Sequence, residues 1–115
     1  MAETYKKLAG LAAATASPTT STGVVYTVPA STSTIVKSIR LVNTSTTTAT
    51  TIQLWHAANA SGTPAAAQVI LPAISIDAGG FAEFDGTLTM ATTETIYAQA
   101  GLATITVTVY GVELT

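Results

Sequence analysis

The chain has 115 residues, a formal net charge of −2 and no cysteine, and 9% of its residues are charged, against about 25% in an ordinary globular domain. That length supports one domain. Four cations, six carboxylates and one histidine exclude the basic patch of a nucleic-acid binder, a disulfide scaffold and a cysteine zinc module, and they leave little material for an active site.

The chain also contains 24 Thr and 21 Ala. Thr favours strands, and high hydrophobicity with low charge is the opposite of a disordered composition. No stretch approaches the roughly 18 apolar residues of a membrane span. Residues 1–21 read as an N-terminal arm and linker. Tyr5, Leu8 and Leu11 recur every third residue, a spacing that a short helix places on one face. Ser17-Pro18-Thr19-Thr20-Ser21 is a linker composition. Met1–Lys7, the apolar Leu8–Ala16 and Ala14-Thr15-Ala16 imitate a signal peptide, but the apolar part is mostly Ala, Gly and Thr, so cleavage is not expected.

Residues 22–115 read as all-β. Strands are predicted at Thr22–Val28, Thr34–Asn43, Thr48–His56, Ala65–Leu71, Ala73–Asp77, Phe81–Asp85, Thr87–Met90, Thr95–Ala100 and Ala103–Glu113. Pro29 and Pro72 stop two of them, Ala78-Gly79-Gly80 is a turn, and Asp85-Gly86 is predicted to turn a hairpin. In the second strand Ile35, Lys37, Ile39 and Leu41 share one side, with Val36, Ser38, Arg40 and Val42 on the other. In the last strand Ile105, Val107 and Val109 alternate strictly with Thr104, Thr106 and Thr108, giving one buried face and one Thr face. Short strands at this spacing mean a sandwich or barrel.

Candidate chemistry is sparse. His56 with Asp77 or Asp85 has no nucleophile elbow beside it, and a single His ending an apolar strand reads as a satisfied wall residue. Asp77, Glu83 and Asp85 could be gathered as a calcium site, but such loops carry carboxylates at close regular spacing, whereas Asp85 reads as a turn residue and Asp77 precedes the Ala-Gly-Gly turn. No catalytic residue, metal site or cofactor is expected. Asn43-Thr44-Ser45 and Asn59-Ala60-Ser61 match the glycosylation pattern and read as chance matches in loops. Trp55 points away from Ile52 and Leu54, toward an outer face where it suits a subunit contact. No charge occurs from Leu41 to Ile76, which implies sheet edges covered by the fold or by neighbouring subunits.

Several stretches carry a family likeness: the opening Met-Ala-x-x-Tyr-Lys pattern, Val25-Tyr26-Thr27-Val28-Pro29-Ala30, Val36-Lys37-Ser38-Ile39, and Leu41-Val42-Asn43-Thr44. Ile76-Asp77-Ala78-Gly79-Gly80, Gly86-Thr87-Leu88-Thr89-Met90 and Thr95-Ile96-Tyr97-Ala98-Gln99-Ala100 continue it. In that order they resemble small virion structural proteins of tailed bacteriophages. Such chains usually carry Gly-Asp before the Thr-Ile step, where this one has Thr93-Glu94.

The resemblance implies an antiparallel jelly-roll-like β-sandwich of about eight strands, made in the host cytoplasm, not secreted, and located on the virion. It implies a capsid decoration or cement role, with the major capsid protein or other virion proteins as partners; the alternative is a tail, neck or baseplate β-domain with an adaptor or receptor-binding role. Copies of the chain itself are the other expected partner, a trimer first and a dimer second, with no nucleic acid and no membrane. Tyr5, Leu8, Leu11 and Trp55 are the expected partner-binding residues, the arm docking on a neighbouring subunit.

Overall fold

The computed structural model describes residues 5–19, 22–60 and 63–115. Its strands are β1 (Tyr5–Ala12), β2 (Val24–Thr27), β3 (Ser33–Asn43), β4 (Thr50–Ala57), β5 (Val69–Ile76), β6 (Phe81–Met90), β7 (Thr95–Ala100) and β8 (Ile105–Leu114), with a single 3-10 turn at Ala66–Gln68. Two four-stranded antiparallel sheets result, ordered β1-β8-β3-β6 (sheet A) and β2-β7-β4-β5 (sheet B). The pairs β1 with β8, β2 with β7, β3 with β6 and β4 with β5 are those of one long hairpin bent at the β4–β5 connection. Rolling that hairpin brings β3 against β8 and β4 against β7. The product is a jelly-roll sandwich, the fold class expected from the sequence.

Its core lies between the sheets. Ile105, Val107 and Val109 of β8 are fully buried, together with Ile39 and Leu41 of β3, Ile52 and Leu54 of β4, and Ile96 and Ala98 of β7. The strict alternation in β8 is therefore the true register: its Thr106 and Thr108 face outward, half-buried. β8 is central, held by β1 on one side and β3 on the other.

Bulges correct three sequence expectations. In β3 the pairing slips between Val36 and Ser38, so Lys37 is the extra residue. Val36 joins Ile39 and Leu41 in the core, while Ile35 falls on the outer side with Ser38, Arg40 and Val42. This settles why both sides of that strand look partly apolar, because a bulge reverses the alternation. Asp85-Gly86 makes no hairpin. Gly86, at φ +145°, lies inside the continuous strand β6, opposite the β3 irregularity; its freedom serves a bulge instead of a turn. Pro72 does not end a strand either. It lies within β5, an edge strand whose pairing with β4 is interrupted at Leu54, where a missing N–H costs nothing.

The N-terminal segment is the largest correction. Residues 1–4, 20 and 21 of the expected arm and linker lie outside the described residues, as do Ser61 and Gly62 of the next loop. Tyr5–Ala12 is neither helical nor free: it is the edge strand of sheet A, paired along β8 from Tyr5 opposite Val112 to Ala12 opposite Thr106. A bulge between Lys7 and Ala9 lets Leu8, Ala9 and Leu11 all pack on the core, while Tyr5 stays exposed on the outer side, so the three residues at three-residue spacing share no face. Ala13 continues inward, its N–H donating to the Ile105 carbonyl at 2.8 Å. The division at residue 21/22 thus cuts through a single sandwich.

All four sheet edges carry devices against further pairing. β1 has Lys6, Lys7 and a bulge, β2 is four residues long with a bulge, β5 has Pro72, and β6 has Glu83, Asp85 and the Gly86 irregularity. The uncharged stretch Leu41–Ile76 is consistent with this, since β4 is internal to its sheet. Asn43, fully buried, closes the β3–β4 turn: its amide nitrogen donates to the carbonyls of Thr48 (2.9 Å) and Ile76 (3.1 Å), and its Oδ1 accepts from the Ser45 N–H. So employed, it is closed to glycosylation in the folded chain.

Candidate interaction surface

Cross-strand register sets out the outer face of sheet A as four rows running from β1 to β6. The first is Tyr5, Val112, Ile35 and Thr89. The second is Lys7, Tyr110, Ser38 and Asp85. The third is Gly10, Thr108, Arg40 and Glu83. The fourth is Ala12, Thr106, Val42 and Phe81. Apolar residues concentrate in the end rows and charges in the middle two. Lys7 leans over Gly10, its Nζ 3.6 Å from where a Cβ on that glycine would sit. The Arg40 guanidinium lies 4.6 Å from the centre of the Phe81 ring and 3.6 Å from Glu83. The β1 margin of the face is therefore basic and the β6 margin acidic. Tyr5 and Phe81 are each 59% exposed.

The outer face of sheet B is covered at one end, around Trp55, and open at the other, around Thr51 and Gln53. Trp55 does point outward, as its alternation with Leu54 requires, but it is only 8% exposed. It packs with Ala57 and the fully buried Tyr97, and Val24 and Val69 cover the flanks. The loops on either side are tied together where the Thr63 hydroxyl donates to the Pro18 carbonyl at 3.1 Å. Trp55 is thus packed among side chains of its own sheet and is not exposed. Leu8 and Leu11 likewise face their own core. Of the four residues expected to bind partners, Tyr5 alone is exposed.

Two small, separate sets of titratable groups are paired within the sandwich. The Tyr26 hydroxyl, on β2, donates to Glu113 Oε2 at 2.5 Å; its single proton being used, it accepts from Thr34 Oγ1 at 2.9 Å. Lys6 Nζ holds the other oxygen of Glu113 at 3.0 Å. Burial, and then the neighbouring Glu113, push the Tyr26 phenol up to about 12. The Tyr26 hydrogen bond, and then Lys6, hold the Glu113 carboxyl below its ordinary value. This set joins sheet B to the end of sheet A. His56 Nε2 donates to Glu94 Oε1 at 2.7 Å, and that oxygen also accepts from the Ala91 N–H at 3.1 Å. His56 is a satisfied wall residue of the kind its sequence position suggests.

Neither set faces a substrate-sized site with free acid–base groups. An open cleft of about 440 Å³ lies beside Ser33, Thr34, Met90 and Leu114, and its one charged wall is Glu94, already engaged. Among the described residues no three His, Cys, Asp or Glu side chains gather in a metal-binding cluster. Glu83 and Asp85 share the outer side of β6, as their spacing requires, and Glu83 pairs with Arg40.

Comparison with protein-family models, with curated proteins and with solved structures finds no match to this chain.

Proposed function

We propose that the protein is a structural component of a bacteriophage virion, a decoration or cement protein that binds the assembled head shell and reinforces it. The observation that carries this reading is the outer face of sheet A: four strands wide, with no covering segment among the described residues, exposed aromatics at opposite corners and charges across its middle. Such a face suits surface-to-surface binding, and the single His56 and the Tyr26–Glu113 set are engaged in internal pairs. The ordered series of motifs from Val25 to Ala100, similar to those of small tailed-phage virion proteins, supplies the biological setting. A jelly roll is also a common architecture of viral shells, which supports the reading at the level of fold analogy alone.

The test is occupancy on the particle. Electron cryo-microscopy of virions carrying this gene product should show hundreds of copies over the head surface. Purified protein added to undecorated heads should bind and raise the temperature at which they release DNA. Six to a few dozen copies confined to the tail, neck or baseplate would reject decoration in favour of an adaptor or receptor-binding role.

A further inference from the structure

We propose that the outer face of sheet A is a self-complementary dimer interface, in which a second copy of the chain stacks on it about a two-fold axis parallel to the strands and lying between β8 and β3. Face-to-face contact about an axis in the interface plane places each position of the face against its own mirror position. With the axis along the strands, β1 of one copy meets β6 of the other, and β8 meets β3, within the same row. Lys7 then faces Asp85 of the second copy. Because Lys7 leans across Gly10, it also approaches Glu83, which stands opposite Gly10. Val112 meets Ile35 in the first row, and Ala12 meets Phe81 in the last. Every pair is formed twice.

The charge layout selects this axis. Turning it by a right angle, across the strands, exchanges the second and third rows. Asp85 would then face Glu83, and Lys7 would face Gly10 with no anion opposite. Like charges brought together are costly, and opposite ones set orientation. Aligned stacking of two sheets is an ordinary packing mode, with bulky residues of the two faces interleaved. The guarded edges leave face stacking as the open route, since edge-to-edge pairing is blocked on β1 and β6.

Size predicts a weak dimer. Four strands about 4.8 Å apart and four rows about 6.8 Å apart span roughly 20 by 25 Å, or about 500 Å² in plan, below the ~800 Å² per partner of a standard interface. The proposal concerns the protein free in solution: the face holds one occupant at a time, so a second copy covers it off the particle and is displaced where the face binds the shell.

Sedimentation equilibrium is the direct measurement, at concentrations up to about 1 mM to suit so small an interface. The wild type should show a monomer–dimer equilibrium that weakens with added salt. K7D and D85K, both at exposed positions, should keep the wild-type circular dichroism and each weaken the dimer about tenfold or more. An equimolar mixture of K7D and D85K should recover dimer. The carboxylate introduced at position 7 of one variant then faces the ammonium introduced at position 85 of the other, while the native Lys7–Asp85 pair remains on the second side. Recovery on mixing cannot come from a mere change in stability. A wild type that stays monomeric throughout, a trimer, a dimer indifferent to both substitutions, or a mixture no stronger than its components would each overturn the proposal.

Discussion

The outer faces of the two sheets both carry large aromatic residues, and the chain treats them differently. On sheet B, Trp55 and Tyr97 are buried and form a second, smaller core with Ala57, Val24 and Val69. On sheet A, Tyr5 and Phe81 stand at opposite corners, each more than half exposed. The difference lies in where the long connections run. The segment that leaves β1 and the segment that leaves β4 meet beside sheet B, joined at Thr63 and Pro18. On sheet A the middle two rows are charged, and none of their residues is buried. An outward-pointing aromatic residue is thus a poor sign of a binding surface until the loops are placed, whereas charges held in register across four strands mark a face that stays open.

Truncating one aromatic on each face tests this contrast most severely. Trp55→Ala should lower the unfolding free energy by about 3–5 kcal/mol, the range for a buried Trp. Urea denaturation measures it. A loss below about 1 kcal/mol, the typical effect of an ordinary substitution, would mean that sheet B has no second core.

The next effect concerns the link between the sheets. Tyr26→Phe leaves Glu113 without its closest partner and should cost about 1–3 kcal/mol. The pH dependence has two arms. Because the Glu113 pKa is lowered from 4.5, its contribution is complete above that value and lost as pH falls through the folded-state pKa. Because the Tyr26 pKa is raised from 10.0 to about 12, its contribution is complete below pH 10 and lost as pH rises from there toward 12. Absorbance titration should place the Tyr26 phenol at about 12, and Glu113→Gln should bring it earlier. A Tyr26 that titrates at its ordinary value of 10.0 would show that the link is not formed.

A smaller gain is expected at Thr93. Its φ of +73° is unfavourable for a β-branched residue, and the turn is held by the Thr93 N–H on the Val28 carbonyl and by Glu94 on Ala91. Thr93→Gly should stabilise by about 1 kcal/mol through relief of that strain. Thermal unfolding at neutral pH should show the midpoint rise; an unchanged or lower midpoint would mean that the Thr93 side chain repays its own strain. The smallest effect belongs to the open face. Phe81→Ala should change monomer stability by no more than about 0.5 kcal/mol. A larger loss in dilute solution would show that Phe81 serves the fold and not a surface.

Periodicity and composition alone determined much of this protein. Strict Ile–Thr alternation in β8, the span Thr95–Ala100 and the turn at Ala78-Gly79-Gly80 were all legible, because a strand with one buried face must alternate and a turn needs small residues. The satisfied role of His56 was legible too, from its isolation. Register beyond a bulge was not. One extra residue at Lys37, and another beside Leu8, reverses which side meets the core, and no local pattern announces it. Asp85-Gly86 has the composition of a hairpin turn, yet glycine serves a bulge equally well, and only the pairing of β6 with β3 distinguishes the two. The N-terminal residues look like an arm because their apolar spacing fits no regular strand; β8, a hundred residues away, supplies the edge on which they become one. The surface was hidden for the same reason. Lys7, Arg40, Glu83 and Asp85 lie on three different strands, and their arrangement across one face exists only once long-range pairing has fixed the order of those strands.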